Sequence, residues 1–145
     1  MQHYQTSASS NPRRPPLGRR QLRVLLVEDL PVVRDRIIES LDEIDGVQVT
    51  ACAAGEDDAL SWLRNNVCDV LILDLELSQG NGIGVLKTLA SSDSGPGPVK
   101  IVYSNHTSAT VRRLALHFGA SYVLDKTLDT PKLRHLLEGL AGAVP

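Results

Sequence analysis

Four hydrophobic runs in this chain each lead to a polar side chain able to do chemistry. Val70-Leu71-Ile72-Leu73 ends at Asp74, the run from Leu22 to Val27 ends at Glu28-Asp29, the run from Val99 to Tyr103 ends at Ser104, and Val123-Leu124-Asp125 leads to Lys126. Short apolar runs of this kind read as parallel strands buried on both faces, which deliver side chains to the carboxyl-end edge of a sheet. A carboxylate emerging from such a strand is unfavourable unless something neutralises it. Three carboxylates at one edge repel one another, and a hard divalent cation relieves the repulsion; partly hydrated Mg2+ held by one or two carboxylates is the usual biological choice. The Lys126 ammonium would pair with these acids or with a bound phosphoryl group, and the Ser104 hydroxyl would donate to the same group. Each residue alone is commonplace, and Glu28-Asp29 by itself reads equally well as an acidic turn before a helix. Their joint placement at strand ends makes the signal specific.

Positioning these residues takes alternating strands and helices, which the chain supplies from Leu22 onward. A strand is predicted over 22–27; Pro31 then suits a helix's first turn, and Val33, Ile37, Leu41 and Ile44 recur at helical spacing before Gly46. A strand over 47–52 precedes a helix over 55–66, with Glu56, Asp57 and Asp58 at its positive end and Leu60 and Leu63 facing the core. The third strand covers 68–73, a loop spans 75–81, and a helix covers 83–90. Residues 91–98 (SSDSGPGP) form a flexible connection. A fourth strand over 99–103, a helix over 110–118 ended by Gly119, a fifth strand over 122–124 and a last helix over 131–140, capped by Asp129 or Thr130, complete the pattern. Five βα units in one domain predict an α/β fold, a five-stranded doubly wound parallel sheet with helices on both faces and the first strand beside the third.

The net charge of −2 conceals an asymmetry: residues 1–23 carry five arginines and no acid, leaving ten basic against seventeen acidic side chains in residues 24–145, a net −7. An acidic body argues against a nucleic-acid binder and suits a divalent cation. Residues 1–20 are rich in Ser, Pro, Arg and Gln and are expected to form a disordered basic arm, with Arg13, Arg14, Arg19 and Arg20 solvated. The folded domain is expected over 21–141 and a short tail over 142–145. No apolar stretch is long enough for a membrane span, and the first residues lack the apolar segment of a signal peptide. Cys52 and Cys68 are too few for a secreted disulfide framework, which favours a reducing cytoplasm, and they read as small buried hydrophobes. His3, His106, His117 and His135 show no metal-ligand spacing.

In this order, the acidic pair, the strand-end Asp, the strand-end Ser and the strand-end Lys resemble the receiver domain of two-component response regulators, over about 22–140. The stretch Asp74-Leu75-Glu76-Leu77-Ser78-Gln79-Gly80-Asn81-Gly82 resembles that family's loop after the phospho-acceptor and keeps its Asn-Gly end. The resemblance implies a flavodoxin-like (βα)5 fold in which Asp74 accepts the phosphoryl group. Glu28, Asp29, Asp74 and the Glu76 backbone carbonyl would bind Mg2+, and Ser104 and Lys126 would contact the phosphoryl group. It also implies a histidine kinase or histidine phosphotransfer protein as donor, at most self-phosphorylation and self-dephosphorylation rather than turnover, and a downstream target protein.

Three departures from the family bear on tuning. The aromatic usually found three residues before the lysine is Val123 here, with Tyr122 one earlier and facing the other side of the strand. The small residue after the hydroxyl is Asn105. The proline after the lysine is Thr127, which leaves the isomer of that bond open. With only Ala141-Gly142-Ala143-Val144-Pro145 after the last helix, a stand-alone receiver with no DNA-binding domain is expected. Its output would run through the last two helices, where Arg112, Arg113, Lys132 and Arg134 would meet a partner or a second copy. Two other readings rank below. One is a non-phosphorylated scaffold of the same fold. The other is an aspartate-nucleophile phosphatase of the haloacid-dehalogenase type, which Asp74-x-Glu76 superficially matches, although that family places its nucleophile on the first strand and uses Asp at the second position.

Overall fold

The computed structural model describes residues 20–92, 95–105 and 107–145. The basic arm up to Arg19, the Asp93-Ser94 pair of the Ser/Gly/Pro connection and His106 lie outside the described residues.

Among the described residues five strands and five helices alternate: β1 (Leu22–Val27), α1 (Pro31–Asp42), β2 (Val47–Ala53), α2 (Glu56–Asn65), β3 (Val70–Leu73), α3 (Gly82–Ala90), β4 (Val99–Ser104), α4 (Ala109–His117), β5 (Tyr122–Asp125) and α5 (Thr130–Gly142). The strands form one parallel sheet in the order β2-β1-β3-β4-β5, with β1 beside β3. The doubly wound parallel sheet inferred from the apolar runs, and the flavodoxin-like fold that the resemblance implied, are thus observed. Element ends differ by a residue or two, which is where helix and strand ends fray. α1 stops at Asp42, short of Ile44, and β3 begins at Val70 rather than at Cys68.

The sheet is covered on both faces because successive side chains point to opposite sides. On one face Val24, Leu26, Ile72, Ile101 and Leu124 pack against Ile38 and Leu41 of α1 and Leu133 and Leu137 of α5. On the other, Leu25, Val27, Leu71, Leu73 and Val102 meet Ala59 and Trp62 of α2, Val85 and Leu86 of α3 and Ala115 of α4. All four residues of β3 are buried, so the strand before Asp74 reads as an unbroken hydrophobic run rather than an alternating one.

The amino-terminal end of the sheet is closed by charge. Arg20, assigned to the arm on composition, donates from Nη1 to Asp69 Oδ2 at 2.8 Å, and Arg23 donates to the same carboxylate from its backbone N–H at 2.7 Å. Burial raises the Asp69 carboxyl, but the bonds from Arg20 and Arg23 more than reverse this and hold it well below the usual carboxylate range.

Candidate functional site

Register sets the site. Val27 pairs with Leu73, so the residues that follow, Glu28 and Asp74, emerge side by side at the carboxyl edge. Val102 pairs with Leu73 and Ser104 with Asp125, which carries the Ser104 hydroxyl and Lys126 to the same edge. The chain is fastened there by backbone bonds from Asp74 N–H to the Val27 carbonyl at 3.0 Å and from Lys126 N–H to the Ser104 carbonyl at 3.2 Å.

Asp74 is 8% exposed, Glu28 2% and Ser104 0%, so three polar side chains sit in a largely dry setting. Each has partners, as buried polar groups require. Asp74 Oδ1 accepts from the Ser104 hydroxyl at 2.8 Å and from the Glu76 backbone N–H at 3.3 Å. Asp74 Oδ2 accepts from Lys126 Nζ at 2.9 Å. Lys126 also donates to Glu28 Oε1, while Glu28 Oε2 accepts from the Leu30 N–H at 3.2 Å. Half-buried Asp29 accepts from the Ser78 N–H at 2.9 Å.

Burial pushes the Glu28 carboxyl up from its usual range, against the opposing pull of the Lys126 ammonium and the Leu30 amide. Burial alone would push Lys126 down, but its bonds to Asp74 and Glu28 prevail and hold the amine above the ordinary lysine range. Two of the three clustered carboxylates, Glu28 and Asp74, pair with this one ammonium, and with all three ionised the cluster carries two negative charges in excess, the charge of a divalent cation.

Glu28, Asp29 and Asp74 each present one carboxylate oxygen within 4.8 Å of the other two. Around an octahedral Mg2+ neighbouring oxygens stand roughly 3 Å apart and opposite ones roughly 4.2 Å, so the three acids would draw together to share one ion, and their all-oxygen chemistry suits a hard cation. Asp29 and Asp74 open onto a cleft of about 480 Å³, shared with Glu76, Ser78, Asn105 and Lys126, while Glu28 lies behind them. The cleft has room for a hydrated ion and a phosphoryl group together.

The remaining candidates sit around this cluster. Asn105 is exposed at the cleft's rim, and its Oδ1 accepts from the Thr127 hydroxyl at 3.4 Å. Tyr122 is 42% exposed and Val123 5% exposed; Val123 belongs to the core under α4, whereas Tyr122, one residue away on the strand, lies on the other side. No peptide bond among the described residues is cis, so Lys126–Thr127 is trans. The basic surface expected on the last two helices is partly spent internally: Arg112 donates to the Val123 carbonyl at 2.6 Å, Lys132 lies 3.4 Å from Asp129, and Arg134 reaches Glu43 and Glu138.

Two features were not anticipated from the strand-end residues. Tyr103, buried on β4, shares a hydrogen bond of 2.7 Å with the Thr130 hydroxyl, which in turn donates to the Lys126 carbonyl at 3.1 Å, so α5 braces the lysine from behind. Asp125 accepts from the backbone N–H groups of Thr127 at 2.7 Å and Leu128 at 3.2 Å, an Asx turn that shapes the loop carrying Lys126. The Asp at the end of β5 was the only local hint of the second.

Comparison with known proteins agrees with the geometry. A family profile described as the response regulator receiver domain matches residues 24–138. The chain is 35% identical over 114 residues to a protein-glutamate methylesterase/protein-glutamine glutaminase from Paramagnetospirillum magneticum, covering 77% of this chain and 29% of that protein. It is 32% identical over 106 residues to the response regulator UvrY of Escherichia coli, covering 72% of this chain and 47% of that protein. The chain therefore spans less than half the length of these curated relatives. Among solved structures, a response regulator receiver protein from Pseudomonas putida superposes with a TM-score of 0.72 at 26% identity, over 82% of this chain and 97% of that one. A LuxR-family two-component response regulator from Aurantimonas sp. reaches a TM-score of 0.75 at 24% identity, over 84% and 86% of the two chains.

Proposed function

The chain belongs to the response regulator receiver family, and from that premise we propose that it accepts a phosphoryl group on Asp74 from a phosphohistidine-bearing protein, with Mg2+ held by Asp29, Asp74, Glu28 and the Glu76 carbonyl. The observation that carries this reading is the convergence on Asp74: a hydroxyl on one oxygen, an ammonium on the other, and two further acids within metal-sharing distance.

In the transfer, an ionised Asp74 oxygen bonds to phosphorus as the donor's P–N bond breaks, and the electron pair of that bond stays on the imidazole nitrogen. No proton is needed from the acceptor, so the protein's part is positioning and charge compensation. Bound Mg2+ supplies charge neutralisation for the phosphoryl oxygens. Lys126, braced by Thr130 and Asp125, presents its ammonium to the acyl phosphate, and Ser104 donates its hydroxyl to a phosphoryl oxygen. Leu30, which lines the cleft and is 56% exposed, offers the incoming donor an apolar contact. A histidine kinase or histidine phosphotransfer protein has the required chemistry. The methylesterase and glutaminase activities in the name of the Paramagnetospirillum relative are not carried over, because this chain spans 29% of that protein.

Incubation with acetyl phosphate, with and without Mg2+, tests the proposal by intact mass. A gain of one phosphoryl group that needs Mg2+ and disappears in Asp74→Asn supports it. Phosphorylation of Asp74→Asn would refute it.

A further inference from the structure

The loop that follows Asp74 is fastened to a second element that the strand-end constellation does not include. Glu56, the first residue of α2, accepts the Asn81 backbone N–H on Oε1 at 3.0 Å. Gln79 completes the fastening: its carbonyl accepts from the Glu56 N–H at 3.0 Å, its side-chain oxygen accepts from the Asp57 N–H at 2.9 Å, and its amide donates to Asp57 Oδ2 at 3.0 Å. Four hydrogen bonds thus join the start of α2 to the loop.

The glycines are fitted to this contact. A Cβ on Gly80 or Gly84 would run into the Glu56 side chain, and one on Gly55 would come within 2.8 Å of Gln79 Oε1. Gly80 also takes φ +72°, a conformation that side chains with a Cβ rarely adopt. Electrostatics favour the same arrangement. The Glu56 carboxylate stands in the first turn of α2 and beside the first turn of α3, so one negative charge serves the positive ends of two helices.

Asn81 is also the partner of Glu76 in an isolated antiparallel bridge, so Glu56 acts one rung away from the residue whose carbonyl is assigned to the metal. The loop's other bonds reach metal-site acids directly, from Ser78 N–H to Asp29 and from Glu76 N–H to Asp74. We infer that Glu56, with Gln79, is a positioning clamp that holds the Glu76 carbonyl at the metal site and thereby sets Mg2+ affinity. The inference rests on the metal assignment made above and adds residues that lie outside it.

Glu56→Ala, Gln79→Ala and the conservative Glu56→Gln, which keeps an acceptor for the Asn81 amide, test the clamp. Mg2+ alone is titrated calorimetrically and by the rise in Tm it produces, and acetyl phosphate uptake is followed across Mg2+ concentrations. Residues that orient metal ligands typically change affinity by about 10-fold or more when removed. Glu56→Ala should weaken Mg2+ by about that factor and raise the Mg2+ concentration for half-maximal phosphorylation. The rate at saturating Mg2+ should be kept, and Glu56→Gln should recover most of the affinity. If Glu56→Ala fails to fold by circular dichroism, Gln79→Ala carries the same expectation. Folded variants with wild-type Mg2+ affinity would overturn the clamp, whatever their Tm. Wild-type protein that does not bind Mg2+ would overturn both the metal assignment and the clamp. Mg2+ binding without phosphoryl uptake would overturn only the phospho-acceptor reading, and the calorimetric titration would still decide the clamp.

Discussion

The Thr107 hydroxyl donates to Asp125 Oδ2 at 3.0 Å and thereby ties the connection leaving β4 to the one leaving β5. Its first residue, Asn105, is joined to Thr127 in the same way. Ser104 and Lys126, the two side chains that hold Asp74 from these connections, are therefore linked to each other outside the cleft. These side-chain bonds add to the backbone bond from Lys126 N–H to the Ser104 carbonyl in coupling the two loops. Asp125→Ala removes the acceptor for Thr127 and Leu128 as well as for Thr107. Amide hydrogen exchange at Thr127 and Leu128 should speed up in that variant while exchange in β1 and β3 stays unchanged. Unaltered protection at both amides would show that the loop is held by something else.

Removing the Lys126 ammonium leaves two nearly buried carboxylates, Glu28 and Asp74, facing each other without a cation. Breaking a buried ion pair from one side destabilises by about 3 kcal/mol or more. Lys126→Ala should show a loss of that order in urea denaturation without Mg2+. Added Mg2+ should restore part of it, because the ion replaces some of the missing positive charge. Phosphoryl uptake should be impaired even at saturating Mg2+. Equal stability of the two proteins in metal-free buffer would mean that the acids are relieved by another route.

Asp69 makes stability depend on pH at the other end of the sheet. Its folded-state pKa is depressed by Arg20 and Arg23 despite the opposing effect of burial, whereas the unfolded carboxyl titrates at about 3.9. As pH falls below about 4 the unfolded chain takes up the proton first, so the stabilisation present at neutral pH is progressively lost. Asp69→Asn should be less stable than wild type at neutral pH, and the gap should narrow as pH drops from about 5 towards 2. Parallel denaturation curves across that window would contradict the assignment.

Cys52 and Cys68 are buried and free, and burial pushes their thiols up to about 11 and about 12. Thiolate is the reactive form, so neither should react with a disulfide reagent in the native protein at neutral pH. Both should become titratable in denaturant, with the reaction following unfolding. Rapid modification of either in native buffer would show that the segment carrying it opens locally.

The sheet was legible because two-sided burial leaves a compositional trace: β3 is four consecutive apolar residues, and β1 is nearly so. Once those runs are accepted as parallel strands, the residues just past them must share an edge, and the five polar side chains of the site follow. What stayed hidden are bonds from a side chain to a partner far away in the chain. Glu56 read as an acid at a helix start, which it is, but its bond to the Asn81 amide crosses 25 residues and leaves no local pattern. Arg20 read as part of a polar arm because composition is blind to Asp69, 49 residues away. Tyr103 read only as the end of the fourth apolar run, since the Thr130 hydroxyl it meets belongs to an element placed only by the fold.

Asp74 is already engaged at both oxygens before any modification, by Ser104 and Glu76 on one and by Lys126 on the other. On the proposed reading, a phosphoryl group arriving there would exchange one set of donors for another instead of gathering donors that were idle. The work available to move the neighbouring loops would then be the difference between two arrangements that both satisfy the same donors. On that reading the two arrangements would lie close in energy, and changes at the periphery, such as at Asn105 on the rim or at Thr107 on the loop after β4, would bear on how strongly each is favoured.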